Sequence, residues 1–506
     1  MDENKSDVLK NKKSDPELDW FILICGSVLL AIIVLSMVLE PESSLLIINH
    51  AFTFITTEFG IVYILLLNAI IVFLTYLIFS KKGSIRLGPK GANKDYSNFS
   101  WIAMLFCTGI GAAVIYWGAT EWTFYYANTP QIASEDQAIL WAASYGAYHW
   151  GPLTWSLYAL TTVAFGVSYH HKNIPSLKLS AACAGFLGSY RERWPGRIID
   201  LFFIIGLIGT SATGLAFGVD LVTASIAKLA SLKNDQQLQL TIMLIVTLLI
   251  AFSVYKGLDK GIRLLSVINA RLALLFLLFI FLVGPTQFIL EMSFASIGLI
   301  TQNFFSLVTW TDPLQKNNFV ENWTVFYIAW GMALGPFIGM FVAKISRGRT
   351  IREVILGMLG WGSLGCFLFF AVLGNYAIHL ELNEIYPVIQ SVNDIGQTST
   401  IAAIIEILPM GYFLLFFIAI IGIIFAATTY DSATYTLAAG TSREIKPDQH
   451  PSLKNRMYWA FALGSLPSAL LFLGGLEPLK AATTLASFPL LIVYVILMIS
   501  IYRMLK

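Results

Sequence analysis

Long apolar runs recur along nearly the whole chain, and they restrict its fold more than any other feature. Each run is about 17–25 residues, the length that a helix needs to cross a bilayer. Because lipid offers the backbone no hydrogen-bond partners, such runs fold as α-helices. We therefore predict an all-α polytopic membrane protein with twelve transmembrane helices, at about 20–39, 60–80, 99–120, 139–168, 197–224, 237–254, 262–290, 320–344, 352–378, 408–437, 456–475 and 482–504.

Composition supports this class of protein. Of the 506 residues, 57% are apolar and only 12% are charged, and the mean hydropathy is +0.72. Residues 1–19 form a charged tail that shows no cleavable signal peptide, and residues 20–504 form a single transmembrane domain. The segment from about 291 to 318 fits either an amphipathic surface helix or a long loop.

The basic residues indicate the orientation in the membrane. They are concentrated in alternate loops, whereas the opposite loops contain only Lys228, Lys233, Lys316 and Lys480. By the positive-inside bias, both termini are expected in the cytoplasm of a multi-pass protein of the cell membrane. The net charge of +2 follows from this orientation and gives no reason to expect a nucleic-acid partner.

The sequence does not favour an enzyme or a channel. The six histidines show no HExxH-type spacing, and the four cysteines lie in or beside apolar runs without metal-ligand spacing. The cysteines are therefore interpreted as small buried residues. A repeated filter loop or rings of charge, which are typical of channels, are also absent from the sequence.

The fourth span contains an aromatic cluster around a Gly151-Pro152 break. Trp155 and Tyr158 share one helical face, and the break can turn Trp150 toward the same side. A quaternary ammonium group spreads its charge over methyl groups, and it is attracted to ring faces by about 0.5–2 kcal/mol per ring. The cluster indicates a site for such a cation, although an interfacial aromatic belt is the alternative.

Two further segments have unusual composition. An aromatic stretch runs from Asn322 to Trp330 in the eighth span, and a knot of cations follows that span from Ser346 to Thr350. In the third span, Gly109 to Ala113 contains only small residues around Ile110, which allows a broken helix or a close packing seam.

From about residue 15 to its end, the chain resembles the betaine/choline/carnitine transporter family. The similarity is carried by His149-Trp150-Gly151-Pro152 with Trp155 and Tyr158, by Trp117-Gly118-Ala119-Thr120-Glu121, and by Ile345-Ser346-Arg347-Gly348-Arg349-Thr350. The resemblance implies a LeuT-like inverted five-plus-five repeat at about 99–504, preceded by two extra helices and assembled as a homotrimer. It also implies secondary transport of an onium compound, with substrate-cage residues Trp150, Trp155, Tyr158 and Trp330.

The chain departs from the family pattern in the eighth span. Ile328 and Gly331 stand where the family has tryptophan, and Leu334 stands where it has an aromatic residue. Phe124 replaces a tyrosine of the carnitine exchangers. Loss of a ring at Gly331 is expected to enlarge the cage, so the substrate is expected to be a bulkier onium compound or another compatible solute such as ectoine.

The resemblance also implies a coupling ion. The tenth span looks like the sodium-coupled pattern of the family, with sodium ligands expected from Cys107, Ile110, Phe425, Thr428 and Thr429. Sodium-independent exchangers have an arginine in the seventh span, where Asn269 stands here; Arg271 is the alternative internal cation. Sodium symport is thus the prediction, and exchange of carnitine-like compounds is the alternative. A weaker second sodium site is expected at Thr210, Thr213 and Phe337.

Ionisable residues inside apolar spans are costly and are functional candidates. Asp431 is placed centrally, whereas Glu121 is expected near an outer helix end in a solvated or salt-bridged position. The arginines that follow the eighth span are expected to pair with Glu353 or to contact lipid phosphates, and a gating role is a hypothesis for Arg347, Arg349 and Arg352.

Overall fold

The computed structural model describes residues 16–89, 91–108, 111–128, 130, 134–256, 259–314, 317–443, 450–473 and 477–506. The described residues form an all-helical fold, and 84% of them are in helices. Within these ranges no β-strand is present, and the two isolated β-bridges join Leu18 to Ser442 and Arg86 to Thr350.

The first half of the chain contains twelve α-helices in the described ranges. They are α1 Trp20–Leu39, α2 Pro41–Glu58, α3 Gly60–Phe79, α4 Asn98–Thr108, α5 Ala112–Tyr126, α6 Glu135–Tyr148, α7 Thr154–Gly166, α8 Leu179–Ala182, α9 Ala184–Leu187, α10 Trp194–Ala230, α11 Gln236–Lys256 and α12 Asp259–Val283.

The second half contributes another twelve described α-helices. They are α13 Thr286–Gln302, α14 Phe304–Thr309, α15 Phe326–Ile345, α16 Ile351–Gly357, α17 Ser363–Phe369, α18 Asn375–Leu382, α19 Val388–Ile395, α20 Gln397–Glu406, α21 Gly411–Gly440, α22 Leu453–Leu473, α23 Glu477–Ser487 and α24 Leu490–Met504. Wider π-helical turns lie at His149–Leu153, Val167–His171, Val320–Val325, Met358–Gly362 and Phe370–Gly374, and 3₁₀ turns at Lys81–Ser84 and Gly188–Glu192.

Eight described helical segments are long and apolar enough to cross a membrane, and the number rises to ten if each of two bent pairs forms one span. The eight are Trp20–Leu39, Gly60–Phe79, Trp194–Ala230, Gln236–Lys256, Val320–Ile345, Ile351–Leu382, Gly411–Gly440 and Leu453–Leu473. The bent pairs are Val267–Val283 with Thr286–Gln302, at 112°, and Glu477–Ser487 with Leu490–Met504, at 44°. The polytopic membrane fold is therefore confirmed, while the count of twelve stays a prediction.

The two remaining predicted spans are interrupted helices. In the predicted third span, α4 ends at Thr108, Gly111 is extended (φ −150°, ψ 175°), and α5 begins at Ala112. In the predicted fourth span, Gly151 has non-helical dihedral angles between α6 and α7 (φ −96°, ψ −114°), and Pro152 follows it. The small-residue segment and the Gly-Pro pair thus break their helices, as the sequence allowed.

The segment predicted as either a surface helix or a loop is largely helical. After Pro285 the chain turns by 112° into α13, and α14 follows after Asn303. Large apolar side chains such as Phe294 and Phe305 are 72% and 81% exposed there. An exposed apolar helix bent away from a spanning helix is typical of a segment that lies along the membrane surface.

The centre of the molecule is the contact between α7 and α15, where small residues let the two backbones approach closely. Every residue of α7 is buried. A Cβ atom at Gly339 would lie 2.5 Å from Thr161 Oγ1, and that hydroxyl donates to the Gly335 carbonyl at 2.7 Å. These glycines are required because a side chain would separate the two helices that carry Trp155, Tyr158 and Trp330.

Both ends of the described part of the chain, from residue 16 to residue 506, lie at one face of the molecule, called here the terminal face. Asp19, just before α1, pairs with Arg197 in the first turn of α10. The backbone of Phe186, shortly before that turn, donates to Ser500 in the last helix. The other side of the helical bundle is called the opposite face.

Candidate functional site

A cavity of about 1720 Å³ runs from the terminal face into the centre of the bundle. Its mouth is lined by Asp19 and Arg197, and its inner wall by residues of α7, α15 and α21. The cavity joins four of the predicted cage residues, namely Trp150, Trp155, Tyr158 and Trp330. The structure therefore brings the aromatic residues of the fourth and eighth spans together at the deep end of one cavity.

The ring geometry at this point forms a cage. The Trp150 and Trp330 rings lie 6.0 Å apart, and those of Trp155 and Tyr158 lie 5.4 Å apart and nearly perpendicular. Leu334 completes the wall contributed by α15. None of the five side chains is charged, so this cage presents ring faces and apolar carbon, which suit a diffuse cation.

The Trp155 ring is held by a glycine of the ninth predicted span. A Cβ atom at Gly362 would lie 2.4 Å from two ring carbons of Trp155. Gly362 is the last residue of a π-helical turn. Two residues earlier, a Cβ atom on Gly360 would have no described atom within 4 Å. The Trp155 ring can thus occupy this position only because residue 362 has no side chain.

Trp150 is oriented by a buried hydrogen-bond network. Its indole Nε1 donates to the Tyr327 hydroxyl at 3.0 Å, and that hydroxyl donates in turn to the Glu121 carboxylate. Glu121 and Tyr327 are almost entirely buried. Because a buried polar group needs its partners, the network fixes the angle at which Trp150 faces the cavity.

A second branch starts from the same carboxylate. The Tyr125 hydroxyl donates to Glu121 at 2.5 Å and lies 2.9 Å from His149 Nδ1. His149 Nε2 lies 3.2 Å from the Thr324 hydroxyl. The solvated or salt-bridged position expected for Glu121 is therefore wrong, because the residue is fully buried and tyrosine hydroxyls from two helices donate to one oxygen of its carboxylate inside the bundle.

The departures from the family pattern occupy different environments. Leu334 lines the cavity. At Gly331, a Cβ atom would lie 2.5 Å from the Leu157 side chain, so this glycine serves the close contact of α15 with α7. The expectation that Gly331 enlarges the cage is not met in this conformation. The Phe124 ring packs against the Trp323 ring at 5.5 Å, and Phe124 is not among the described residues that line the cavity.

Three of the predicted sodium ligands line the cavity together on α21, namely Phe425, Thr428 and Thr429. The Thr428 hydroxyl donates to the Ile424 carbonyl at 2.8 Å, whereas the Thr429 side chain is exposed to the cavity. Cys107 lies in α4, directly before the break in the third predicted span, and Ile110 lies outside the described residues. The hydroxyls therefore lie on a helix that faces the same cavity as the cage.

The two α12 positions considered for the exchangers' arginine, Asn269 and Arg271, differ sharply. Asn269 is fully buried and donates to the Ile421 carbonyl of α21 at 3.1 Å, while its Oδ1 atom has no hydrogen-bond partner among the residues that the structure describes. The Arg271 side chain is exposed. The position that sequence comparison assigned to the exchangers' arginine thus holds a neutral side chain with a free acceptor oxygen.

The residues of the weaker second sodium site do not all face the cavity. Thr210 and Phe337 line it, and the Thr210 hydroxyl has no hydrogen-bond partner within the described part of the chain. The Thr213 hydroxyl instead donates to the Leu479 carbonyl at 2.9 Å and accepts from Thr483. Thr213 therefore attaches α10 to α23.

The arginines after the eighth predicted span bind the segment that runs from the end of α3 to the start of α4, which the sequence did not reveal. Arg349 donates to Asn98 at 2.9 Å and covers the Trp101 ring at 4.2 Å. Arg347 pairs with Asp95 at 3.1 Å. Arg352 donates to the Ile78 and Ser80 carbonyls. The expected pairing with Glu353 is not made, because Lys94 holds that carboxylate at 2.7 Å.

Acidic residues line the cavity, among them Asp431 and, at the mouth, Asp19. Burial alone raises the pKa of the Asp19 carboxyl, but hydrogen bonding and attraction from Arg197, 2.5 Å away, bring that pKa below its usual value. Asp19 is therefore a carboxylate at neutral pH, and its pair with Arg197 fastens α1 to α10 beside the mouth.

Comparison with known proteins gives one consistent result. The sequence profile described as "BCCT, betaine/carnitine/choline family transporter" matches residues 21–506. The chain is similar to a carnitine transporter of Acinetobacter baumannii, with 30% identity over 98% of this chain and 90% of the relative. It is also similar to the glycine betaine transporter OpuD of Bacillus subtilis, with 31% identity over 93% and 91%.

A third relative, the uncharacterized transporter YeaV of Escherichia coli, is 33% identical over 85% of this chain and 90% of its own length. The relatives are transporters, in agreement with the prediction that the chain is not an enzyme. Together with a family profile that covers almost every residue, they establish that the chain belongs to the betaine/carnitine/choline transporter family.

Proposed function

We propose that the protein imports a quaternary ammonium compound of the glycine betaine, choline or carnitine type by sodium symport. The observation that carries the proposal is the uncharged cage of Trp150, Trp155, Tyr158, Trp330 and Leu334 at the end of the central cavity. Ring faces attract a diffuse cation without a fixed negative charge in the cage. The names of two relatives, a carnitine transporter and a glycine betaine transporter, support the same substrate class.

The architecture proposed for this function has twelve spans, of which the last ten form the LeuT-like inverted repeat after two extra helices. The terminal face is cytoplasmic, as the basic loops indicate. The cavity then opens to the cytoplasm and the opposite face is closed, which corresponds to the inward-facing state of an alternating-access carrier. Three copies of the chain form a homotrimer in the cell membrane.

Sodium coupling is supported by two features beside the cavity. Thr428 and Thr429 supply hydroxyl oxygens on α21. Asn269, packed against α21, has an unsatisfied amide oxygen where the exchangers are expected to have a guanidinium group. Exchange of carnitine-like compounds without sodium remains the alternative function.

Binding to purified protein tests the substrate. Tryptophan fluorescence is titrated with glycine betaine, choline, carnitine and ectoine, each in sodium and in potassium buffer. A saturable signal with one of the first three, tighter in sodium, is the expected result. Silence with all three in folded protein, with or without an ectoine signal, contradicts the onium proposal.

Uptake into proteoliposomes tests the coupling. Sodium-driven uptake is expected to become much less sodium-dependent in Thr429→Val, because the change removes an oxygen that faces the cavity. Thr436→Val is the matched control, since Thr436 also lines the cavity but donates to the Ser432 carbonyl at 2.9 Å. Uptake that is equal in sodium and potassium, together with fast counterflow from preloaded vesicles, would instead establish exchange.

A further inference from the structure

A second aromatic cage lies toward the opposite face, and the chain fills it with its own cation. The Lys480 ammonium lies 4.6 Å from the ring centre of Trp323, 5.8 Å from that of Phe52 and 5.9 Å from that of Phe326. The Lys480 side chain is only 2% exposed. A lysine buried to this extent is rare and costly, so its ammonium must be stabilised by these rings and by its carboxylate partner.

That partner places the cage near the surface. Lys480 pairs with Glu477 at 3.2 Å, and the Glu477 side chain is 55% exposed. Trp323 also lines a separate cavity of about 190 Å³, together with Asn128, Asn318 and Asn322. Only the Glu477 side chain therefore separates the buried ammonium from solvent on this side, and Trp323, the ring nearest to the ammonium, also borders a polar cavity.

The cage is assembled from three elements that are distant in sequence. Phe52 belongs to α2, Trp323 and Phe326 to the eighth predicted span, and Lys480 to α23. Both α2 and α15 pack against α23. An ammonium that contacts all of these rings joins the elements, and they can separate only if the ammonium leaves the rings.

Aromatic rings connect this second cage with the substrate cage. Trp323 contacts Trp117 edge to face at 5.8 Å, and Trp117 contacts Phe217 in the same way at 5.2 Å. Phe217 stacks on Trp330, a wall of the substrate cage, at 5.9 Å and 12°. A line of π-faces thus leads from Lys480 to the site of the proposed substrate.

We propose that Lys480 is a tethered cation that closes the opposite face: its ammonium occupies an aromatic cage suited to quaternary ammonium ions, and this cage is vacated when the protein opens to that face. The substrate class rests on the proposed function, whereas the filled second cage does not. Lys480 thereby competes with any small ammonium ion for the Trp323 ring. Removal of the lysine side chain should therefore allow a free ammonium ion to bind there.

Equilibrium dialysis of radiolabelled tetramethylammonium with the purified full chain tests this proposal. Lys480→Ala is expected to bind one more ion per chain than the wild type, and Trp323→Ala in the same background is expected to remove the extra ion. Lys228→Ala is the matched control, because Lys228 also pairs with a carboxylate, Glu406 at 2.7 Å, but contacts no ring within the described residues. It should bind the same number of ions as the wild type.

Lys480→Ser serves as a second vacated variant if Lys480→Ala does not fold, with folding judged by a monodisperse size-exclusion profile. An equal number of bound ions in the wild type and in the folded vacated variant overturns the proposal. So does an extra ion that survives the loss of Trp323. If the wild type binds no tetramethylammonium, that result contradicts the proposed substrate class. The proposal for Lys480 depends only on the difference in the number of bound ions between the variant and the wild type.

Discussion

Removal of the Tyr327 hydroxyl tests whether the buried network orients the cage. Tyr327→Phe keeps the ring and takes away the acceptor of the Trp150 indole, which lies 3.0 Å from it. Trp150 then loses its fixed angle to the substrate, and with it part or all of a ring interaction of about 0.5–2 kcal/mol. Since 1.4 kcal/mol corresponds to a factor of ten, the Kd of the onium substrate should rise about 2- to 30-fold.

The assay is a fluorescence titration of purified protein, accompanied by thermal unfolding. Tyr125→Phe is the matched control, because it removes the same atom from the branch of the network that leads to His149. Both variants should lose stability, since each leaves Glu121 with one hydrogen bond fewer. Only Tyr327→Phe should raise the Kd strongly.

A double-mutant cycle makes the reasoning refutable. In a Trp150→Phe background the indole N–H is already absent, so Tyr327→Phe should change the Kd little further. If Tyr327→Phe raises the Kd by the same factor with and without that N–H, the hydroxyl does not act through Trp150. A folded Tyr327→Phe protein with wild-type affinity refutes the idea equally.

Two further changes probe the cage wall and the cavity mouth. Gly362→Ala should destabilise the protein by about 1–3 kcal/mol in thermal unfolding and weaken substrate binding in titration, because the new methyl group meets the Trp155 ring. Gly360→Ala is the control, since its methyl group enters open space and should change neither the stability nor the affinity. Arg197→Gln should lower the Tm at pH 7. The pair lowers the pKa of Asp19 in the folded state, so its stabilising effect is fully present above the unfolded-state pKa of about 3.9 and is lost as the pH falls through the lower folded-state pKa. The Tm difference should therefore shrink as the pH is lowered from about 4, and a difference that grows on acidification contradicts this assignment.

Unbroken helices were accessible from the sequence because their length alone defines them. The predicted spans 20–39, 237–254 and 320–344 correspond closely to Trp20–Leu39, Gln236–Lys256 and Val320–Ile345. The sharp bend after Val283 was not predicted, because the hydrophobic run continues through it and only Gly284 and Pro285 mark the turn. Local composition indicates which segments lie in lipid, but it does not indicate the direction that the chain takes when it leaves the membrane.

The cage was partly predictable for a different reason. Trp155 and Tyr158 share a helical face by spacing alone, so their common orientation follows from the period of the helix. The roles of Glu121 and Gly331 depend on how α15 lies against α5 and α7. One of the two tyrosines that donate to Glu121 is 206 positions away, and the side chain that faces Gly331 belongs to another helix. No pattern within one segment contains that information.

The arginines after the eighth span show the same limit. Their cationic character was evident, but most of their partners are backbone carbonyls and an amide of residues 78–98, whose acceptor oxygens leave no trace in a sequence. Arg349, with three such acceptors and an indole face, is 98% buried as a result.

The contact between the loop after α3 and the turn after α15 also bears on how the protein is made. Leu87 exchanges two backbone hydrogen bonds with Gly348 and Arg349, at 2.6 and 2.8 Å, and Ile351 donates to Ile85 at 3.0 Å. A nascent chain leaves the ribosome in order, so these groups of the early loop have no partners until about 260 further residues have been synthesised. The terminal face is therefore completed late in biosynthesis, and a chain truncated within the eighth span should keep this loop accessible to proteases.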